Sequence, residues 1–300
     1  MEGKQFRIGD HLVKILFKGS DNDMSLLPSF TNFRAENSPS NELSQSSATE
    51  KSLFTLTVSD TLKPRKEKTL IRKFDTGNGD TIVHLLPDGG YQYIIKDTLN
   101  RECCLLICNK DFSECECALN GDWTMRSFGL NDALMLVYAF AGAFHDTILM
   151  HASCIGYNGK AYPFTASSGT GKSTHSSLWM KCIEGAELVN DDNPIIRIID
   201  GKPILYGSPW SGKTPCYRNM KLPLGAIVQI KRDTTNHIER LNVVQSLASL
   251  LPACSSMKWD EAIFDHLCKT LTTIIETTPI YAMYCLPNEE AAMVCKEGIV

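Results

Sequence analysis

The sequence predicts an α/β chain, α+β overall, with a β-rich N-terminal domain over residues 1–130 and a domain of mixed sheet and helices over 131–300. Three observations carry this. Short apolar runs separated by turn residues fill the first part, and a helical apolar period opens the second. A Gly-Thr-Gly-Lys-Ser run in the second part then sits between an apolar strand and a helix. At 300 residues there is ample length to bury a core in each part.

Strands of the first part are expected at 6–17, 53–59, 69–74, 81–86, 91–95 and 103–108, where apolar and β-branched residues cluster. Asp88-Gly89-Gly90 is a turn signal, so 81–95 reads as a hairpin. Residues 36–52 are rich in Ser, Asn, Gln and Glu and almost free of large apolar side chains. Such a stretch cannot offset its ordering entropy and reads as a long mobile loop. The basic, Pro-containing residues 63–68 read as a solvated connector.

From Asn131 the period changes. Leu134, Val137, Tyr138, Ala141 and Phe144 recur at helical spacing, with Asn131 or Asp132 as the cap. The apolar stretch 133–144 is too short to span a bilayer and reads as a buried helix. Residues 148–155 read as one buried strand, and Asn158-Gly159 turns the chain into the next, over 161–165. A helix, a strand at 186–190 and a hairpin about Asp200-Gly201 follow. Then come a strand at 224–230, helices at 243–251 and 259–276, and a strand at 280–286. Asn288 caps a last helix bearing Ala291, Ala292, Val294 and Cys295.

A net charge of −4 gives no general attraction to nucleic acid or to an anionic membrane. The N-terminus lacks the apolar core of a secretory signal, so a cytoplasmic protein is expected. Twelve cysteines are then expected as thiols. Cys103, Cys104, Cys108, Cys115 and Cys117 cluster, but without a Cys-x-x-Cys pair or a histidine. Cys115 and Cys117 share one face of a strand, as small buried hydrophobes do.

The chemistry concentrates in three places. In Ala166-Ser167-Ser168-Gly169-Thr170-Gly171-Lys172-Ser173-Thr174, glycines permit angles that turn backbone N–H groups inward onto phosphate oxygens. A following helix N-terminus adds partial positive charge. Ser168, Gly169, Thr170, Gly171, Lys172, Ser173 and Thr174 are the candidate nucleotide-binding residues. Lys172 can reach the terminal phosphates, and the Ser173 hydroxyl can ligate Mg²⁺. The usual pattern opens with Gly, and Ala166 stands there instead. Asp191 and Asp192 follow an apolar strand, the position at which α/β sheets place ligands. One can hold metal while the other faces an acceptor. His151 lies in the strand expected at 148–155, within reach of those carboxylates if that strand lies beside the loop strand.

The set His151-Ala152-Ser153-x-Ile155, the loop, and Asn190-Asp191-Asp192 resembles the catalytic domain of the HPr kinase/phosphorylase family, over residues 148–300. That family shares its nucleotide fold with ATP-dependent phosphoenolpyruvate carboxykinase. The resemblance implies a P-loop domain with a mixed sheet. It implies that Lys172 and the loop amides hold phosphates, that Ser173 and Asp192 serve Mg²⁺, that Asp191 takes the acceptor's proton, and that His151 supports Asp191. Where the family carries a glycine-rich signature, this chain has Tyr206-Gly207-Ser208-Pro209-Trp210-Ser211-Gly212-Lys213-Thr214-Pro215. It reads equally as a lid bearing Lys213 or as a structural turn with Trp210 in the core. Arg218 is a candidate for neutralising transition-state charge.

The resulting expectation is an ATP- and Mg²⁺-dependent kinase acting on a hydroxyl, serine of a small protein or peptide, with homo-oligomerisation implied by the family. The alternatives are a non-catalytic nucleotide-binding regulator and a carboxykinase-like enzyme. The β-rich part is expected to choose the acceptor.

Overall fold

The computed structural model describes residues 2–35, 50–75 and 79–300. The loop expected at 36–52 therefore lies, but for its last three residues, outside the described residues. The chain divides into two compact units, Met1–Gly142 and Ala143–Val300. Mixed sheets combine with helices, so the chain is α/β overall.

In the first unit, β1 (Glu2–Ile8) and β2 (His11–Lys18) form a hairpin where one strand was expected over 6–17. Gly9 and Asp10 turn the chain at φ of 55° and 62°, the two left-handed residues that a tight hairpin takes. Apolar residues resume so soon after the turn that the two strands read as one. Next come β3 (Phe54–Ser59), β4 (Thr69–Asp75), β5 (Asp80–Leu85), β6 (Tyr91–Lys96), β7 (Glu102–Cys108) and β8 (Glu114–Leu119). They make one sheet in the order β1-β2-β3-β8-β7-β6-β5-β4. The β2–β3 and β3–β8 pairings are parallel, and β5–β6 is the expected hairpin.

Helix α1 (Trp123–Ala143) begins well before Asn131. Asp122 is its cap: its Oδ1 accepts the Met125 N–H at 3.0 Å, so neither Asn131 nor Asp132 holds that place. Gly129, a poor helix former, stands among these first turns. A Cβ on Gly129 would lie 2.9 Å from the Cys103 backbone, so the glycine lets α1 pass close over β7. The break expected at 130/131 falls inside this helix.

The second unit runs β9 (Thr147–Leu149), β10 (Ala152–Tyr157), β11 (Lys160–Thr165), α2 (Lys172–Cys182), β12 (Glu187–Asn190), β13 (Ile195–Ile199), β14 (Lys202–Tyr206) and β15 (Lys221–Pro223). It continues with β16 (Ile227–Arg232), β17 (His237–Arg240), α3 (Val243–Leu250), α4 (Glu261–Thr277), β18 (Ile280–Cys285) and α5 (Glu289–Ile299). A six-stranded mixed sheet has the order β12-β10-β11-β16-β18-β17, and a four-stranded antiparallel sheet the order β15-β14-β13-β9. Asn158-Gly159 and Asp200-Gly201 make the two expected hairpin turns, all four residues at positive φ.

One face of the larger sheet packs Tyr162, Phe164, Val228 and Met283 on Trp179 of α2 and Ala291 and Cys295 of α5. The other face packs Ala161, Val189 and Ile227 with Ile196 and Leu205 of the smaller sheet and Leu267 and Leu271 of α4. Each fully buried large aliphatic or aromatic side chain stabilises this arrangement by about 1.5–3 kcal/mol. Asn288 caps α5 as expected, accepting the Ala291 N–H.

The strand expected over 148–155 is two strands in two sheets. β9 pairs with β13, the chain steps across at Met150-His151, and β10 joins the larger sheet between β12 and β11. An unbroken apolar run specifies burial but not the partner, so the change of sheet left no mark in the pattern. Among the described residues, no helix is long and apolar enough to cross a membrane.

Candidate functional site

β11 runs parallel to β16, and the loop of residues 166–171 leaves its carboxyl end. Gly169 and Gly171 have φ of 73° and 125°, and a Cβ at either would meet nothing within 4 Å. The backbone angle, not crowding, requires glycine at both. The Thr170 N–H closes a turn on the Ser167 carbonyl at 3.1 Å. No side chain caps α2 at Gly171, so its first amides are open to an anion. Ser168 and Thr174 are exposed, and Ser173 is half-buried in the first turn.

Lys172, almost fully buried, turns back beneath the loop. Its Nζ donates to His151 Nε2 at 2.8 Å and to the Ala166 carbonyl at 3.4 Å. Burial lowers its pKa, and the charges of Asp192 and Asp191 oppose that shift. An ammonium can only donate, so His151 Nε2 accepts and the ring proton sits on Nδ1. Nδ1 lies 3.1 Å from Asp192 Oδ1. Lys172, His151 and Asp192 thus form one hydrogen-bonded line. His151 faces Asp192, and not Asp191 as the resemblance implied. The reason is the change of sheet: Ala152 N–H donates to the Asp192 carbonyl at 2.9 Å, setting His151 beside that residue.

Asp191 is 4 % exposed and held on both oxygens. Ser153 Oγ donates to Oδ1 at 2.8 Å, and the Thr214 N–H donates to Oδ2 at 3.1 Å. Ser153 has spent its proton, so the Ser176 hydroxyl, 2.6 Å away on α2, donates to Ser153. The helix that follows the loop is thereby tied to Asp191 through two buried hydroxyls.

Asn190 shapes the carboxylate turn. Its fully buried Oδ1 accepts the Asp192 and Asn193 amides, each at 2.9 Å. Its Nδ2 donates to Ser208 Oγ and to the Trp210 carbonyl, each at 3.1 Å. Asn193 Nδ2 steadies Asp192 Oδ2 at 2.8 Å. The 206–215 segment thus lies directly on the carboxylates, and a Cβ on Gly212 would come within 3.0 Å of the Asp191 carbonyl. Trp210 is buried, whereas Lys213 is exposed.

Arg218 does not join the site. Its Nη1 bonds the Leu188 carbonyl at 2.8 Å and Glu187 Oε2 at 2.7 Å, along the β12 edge. The nearby carboxylate and strand carbonyl outcompete an open loop for that guanidinium. From the sequence, Asn190 and Ser153 entered only as members of the resembling motif, with no role, and Ser176 and Arg232 were not singled out. Ser153 had a signal, a hydroxyl two places after His151 in an apolar run. Asn190 stood in the Asn190-Asp191-Asp192 motif, but nothing in the sequence marked it as the template of the turn.

No family model matches the chain, and no curated protein matches it. Among solved structures, the HPr(Ser) kinase/phosphatase from Coxiella burnetii is similar at a TM-score of 0.30 and 11 % identity, covering 50 % of this chain and 91 % of that one. A likeness this slight carries no argument about activity. The functional reading rests on the side chains.

Proposed function

We propose that the second unit is a Mg²⁺/ATP-dependent phosphotransferase acting on a hydroxyl, and that a small protein or peptide serine is its acceptor. The observation that carries this is the line Lys172–His151–Asp192, which joins the loop lysine to the carboxylate pair. A bare loop binds nucleotide; a loop lysine wired to a carboxylate turn suits transfer.

The residues present fit the groups. Gly169 and Gly171 leave open space over the loop, and the Ser173 hydroxyl and Asp192 carboxylate are the hard oxygen donors that Mg²⁺ takes. Bound Mg²⁺/ATP supplies the transferable phosphoryl group and neutralises its charge. Lys172 and the loop amides bind the phosphates, leaving His151 for Asp192. His151 orients Asp192 toward the metal. Asp191 takes the acceptor's proton at Oδ2 once the Thr214 N–H moves off it, while Ser153 keeps Oδ1 in place. Movement of residues 211–214 would therefore expose the base, which gives the 206–215 segment the lid role. The β-rich unit and self-association of the chain would select and present the acceptor.

The test is ATP turnover against a panel of serine peptides and small proteins, for the wild type and Asp191→Asn. The expected result is transfer that D191N abolishes with ATP binding spared. Nucleotide binding without transfer or hydrolysis would leave the chain a nucleotide-responsive regulator.

A further inference from the structure

Arg232 is the last residue of β16 and shares a strand face with Val228 and Ile230, which pack toward α2 and α5. That face leads its side chain to the phosphate loop. Nη2 donates to the Gly169 carbonyl at 2.5 Å, and Nε donates to the Thr170 carbonyl at 3.4 Å. Arg232 lies outside the Lys172–His151–Asp192 line.

We infer that Arg232 is a positioning residue for the phosphate loop, setting the orientation of its amides for the phosphates of a nucleotide; the ligand half of this inference rests on the nucleotide reading. A trans peptide is planar, so drawing a carbonyl to one side turns the next N–H to the other. With the Gly169 carbonyl on Arg232, the Thr170 N–H faces away, where it meets the Ser167 carbonyl. With the Thr170 carbonyl on Arg232, the Gly171 N–H is turned away from the guanidinium, toward the opening of α2. One cation thus fixes two successive peptide planes.

Those planes need fixing. They lie between glycines at φ of 73° and 125°, with no side chain on either to restrict the backbone, and the Thr170 N–H bond to Ser167 restrains the first of them. Glycine peptides lose the most freedom on ordering, and an anion would otherwise have to supply that ordering itself. Charge-assisted bonds to both carbonyls meet the cost beforehand. The fork geometry matters, because a lysine ammonium is a point charge and cannot hold two planes equally. Arg232 is itself exposed, so fold stability does not depend on it.

The experiment uses the full chain with Mg²⁺, titrating AMP, ADP and ATP by calorimetry for the wild type, Arg232→Gln and Arg232→Lys. Amide hydrogen exchange at Thr170 and Gly171 is read without nucleotide, alongside the thermal midpoint. R232Q is expected to bind ADP and ATP about tenfold more weakly, with faster exchange at both amides and an unchanged midpoint. R232K should recover part of both losses. An R232Q that binds and exchanges like the wild type overturns the inference. A midpoint that falls in step with affinity also overturns it, by making the arginine merely structural. If the wild type binds no nucleotide, the phosphotransferase reading fails, and the exchange comparison still decides whether Arg232 sets the loop.

Discussion

Asp191 and Asp192 are adjacent in the chain yet belong to two separate hydrogen-bond systems. Asp191 is gripped by Ser153 and the Thr214 amide, whereas Asp192 answers to His151 and Asn193. The pair is therefore two distinct groups, and substitutions at one need not mimic substitutions at the other.

Removing His151 should separate binding from transfer. His151→Ala takes the shorter acceptor from Lys172 and the donor from Asp192 Oδ1, leaving them the Ala166 carbonyl and Asn193. Turnover is expected to fall about 10²-fold, in the range of a lost acid–base or orienting group. ATP affinity should hold or rise, since Lys172 is released toward the loop. Steady-state kinetics beside calorimetry distinguishes this from a general loss of fold.

Acid should weaken the second unit through His175. This imidazole is 2 % exposed, edge-on to Phe164, and accepts the Trp179 indole N–H at 3.2 Å. Burial lowers its pKa from 6.5 to about 4. Between those values the unfolded chain binds the proton and the folded chain does not, so stability rises with pH there. The contribution is full above pH 6.5 and is lost as pH falls toward 4, reaching roughly 3 kcal/mol. Urea midpoints across this window should slope in the wild type and flatten in His175→Phe. A flat wild-type profile would contradict the assignment.

Asn190→Ala should cost about 3 kcal/mol, because it strips partners from the Asp192 and Asn193 amides and from the Ser208–Trp210 turn in a buried place. Equilibrium denaturation measures it. Activity should fall further than stability explains, since the carboxylate turn loses its template.

Gly129→Ala offers a reversal of propensity. Alanine improves an exposed helix by about 1 kcal/mol over glycine. Here the new methyl meets the Cys103 backbone at 2.9 Å, and overpacking of that kind costs about 1–3 kcal/mol. The expected net effect is a destabilised first unit, read by its denaturation midpoint.

Local signals were legible where one or two residues fix the backbone. Asn158-Gly159, Asp200-Gly201 and Asn288 announced two hairpins and a cap, and the structure has all three. Gly9-Asp10 carries the same chemistry but was hidden by the apolar residues on both sides. His151, Lys172 and the aspartates could be named from residue type and order; Lys172, His151 and Asp192 meet within hydrogen-bonding distance, whereas Asp191 bonds Ser153 and the Thr214 amide. Which carboxylate His151 faces could not be read, because it depends on a strand changing sheets. Arg218 shows the same limit: its fate was settled by Glu187, a neighbour brought close only by folding.

The step at Met150-His151 has a mechanical consequence. His151 hangs from a short crossing whose amides are pinned to the smaller sheet on one side, through Met150 on Pro194, and to the 253 carbonyl and Asp192 on the other. The position of that one imidazole is therefore set by how the two sheets join. Lys172 and Asp192 lie at its two nitrogens, at 2.8 and 3.1 Å. The register between two sheets thereby fixes the bond line from lysine to Asp192.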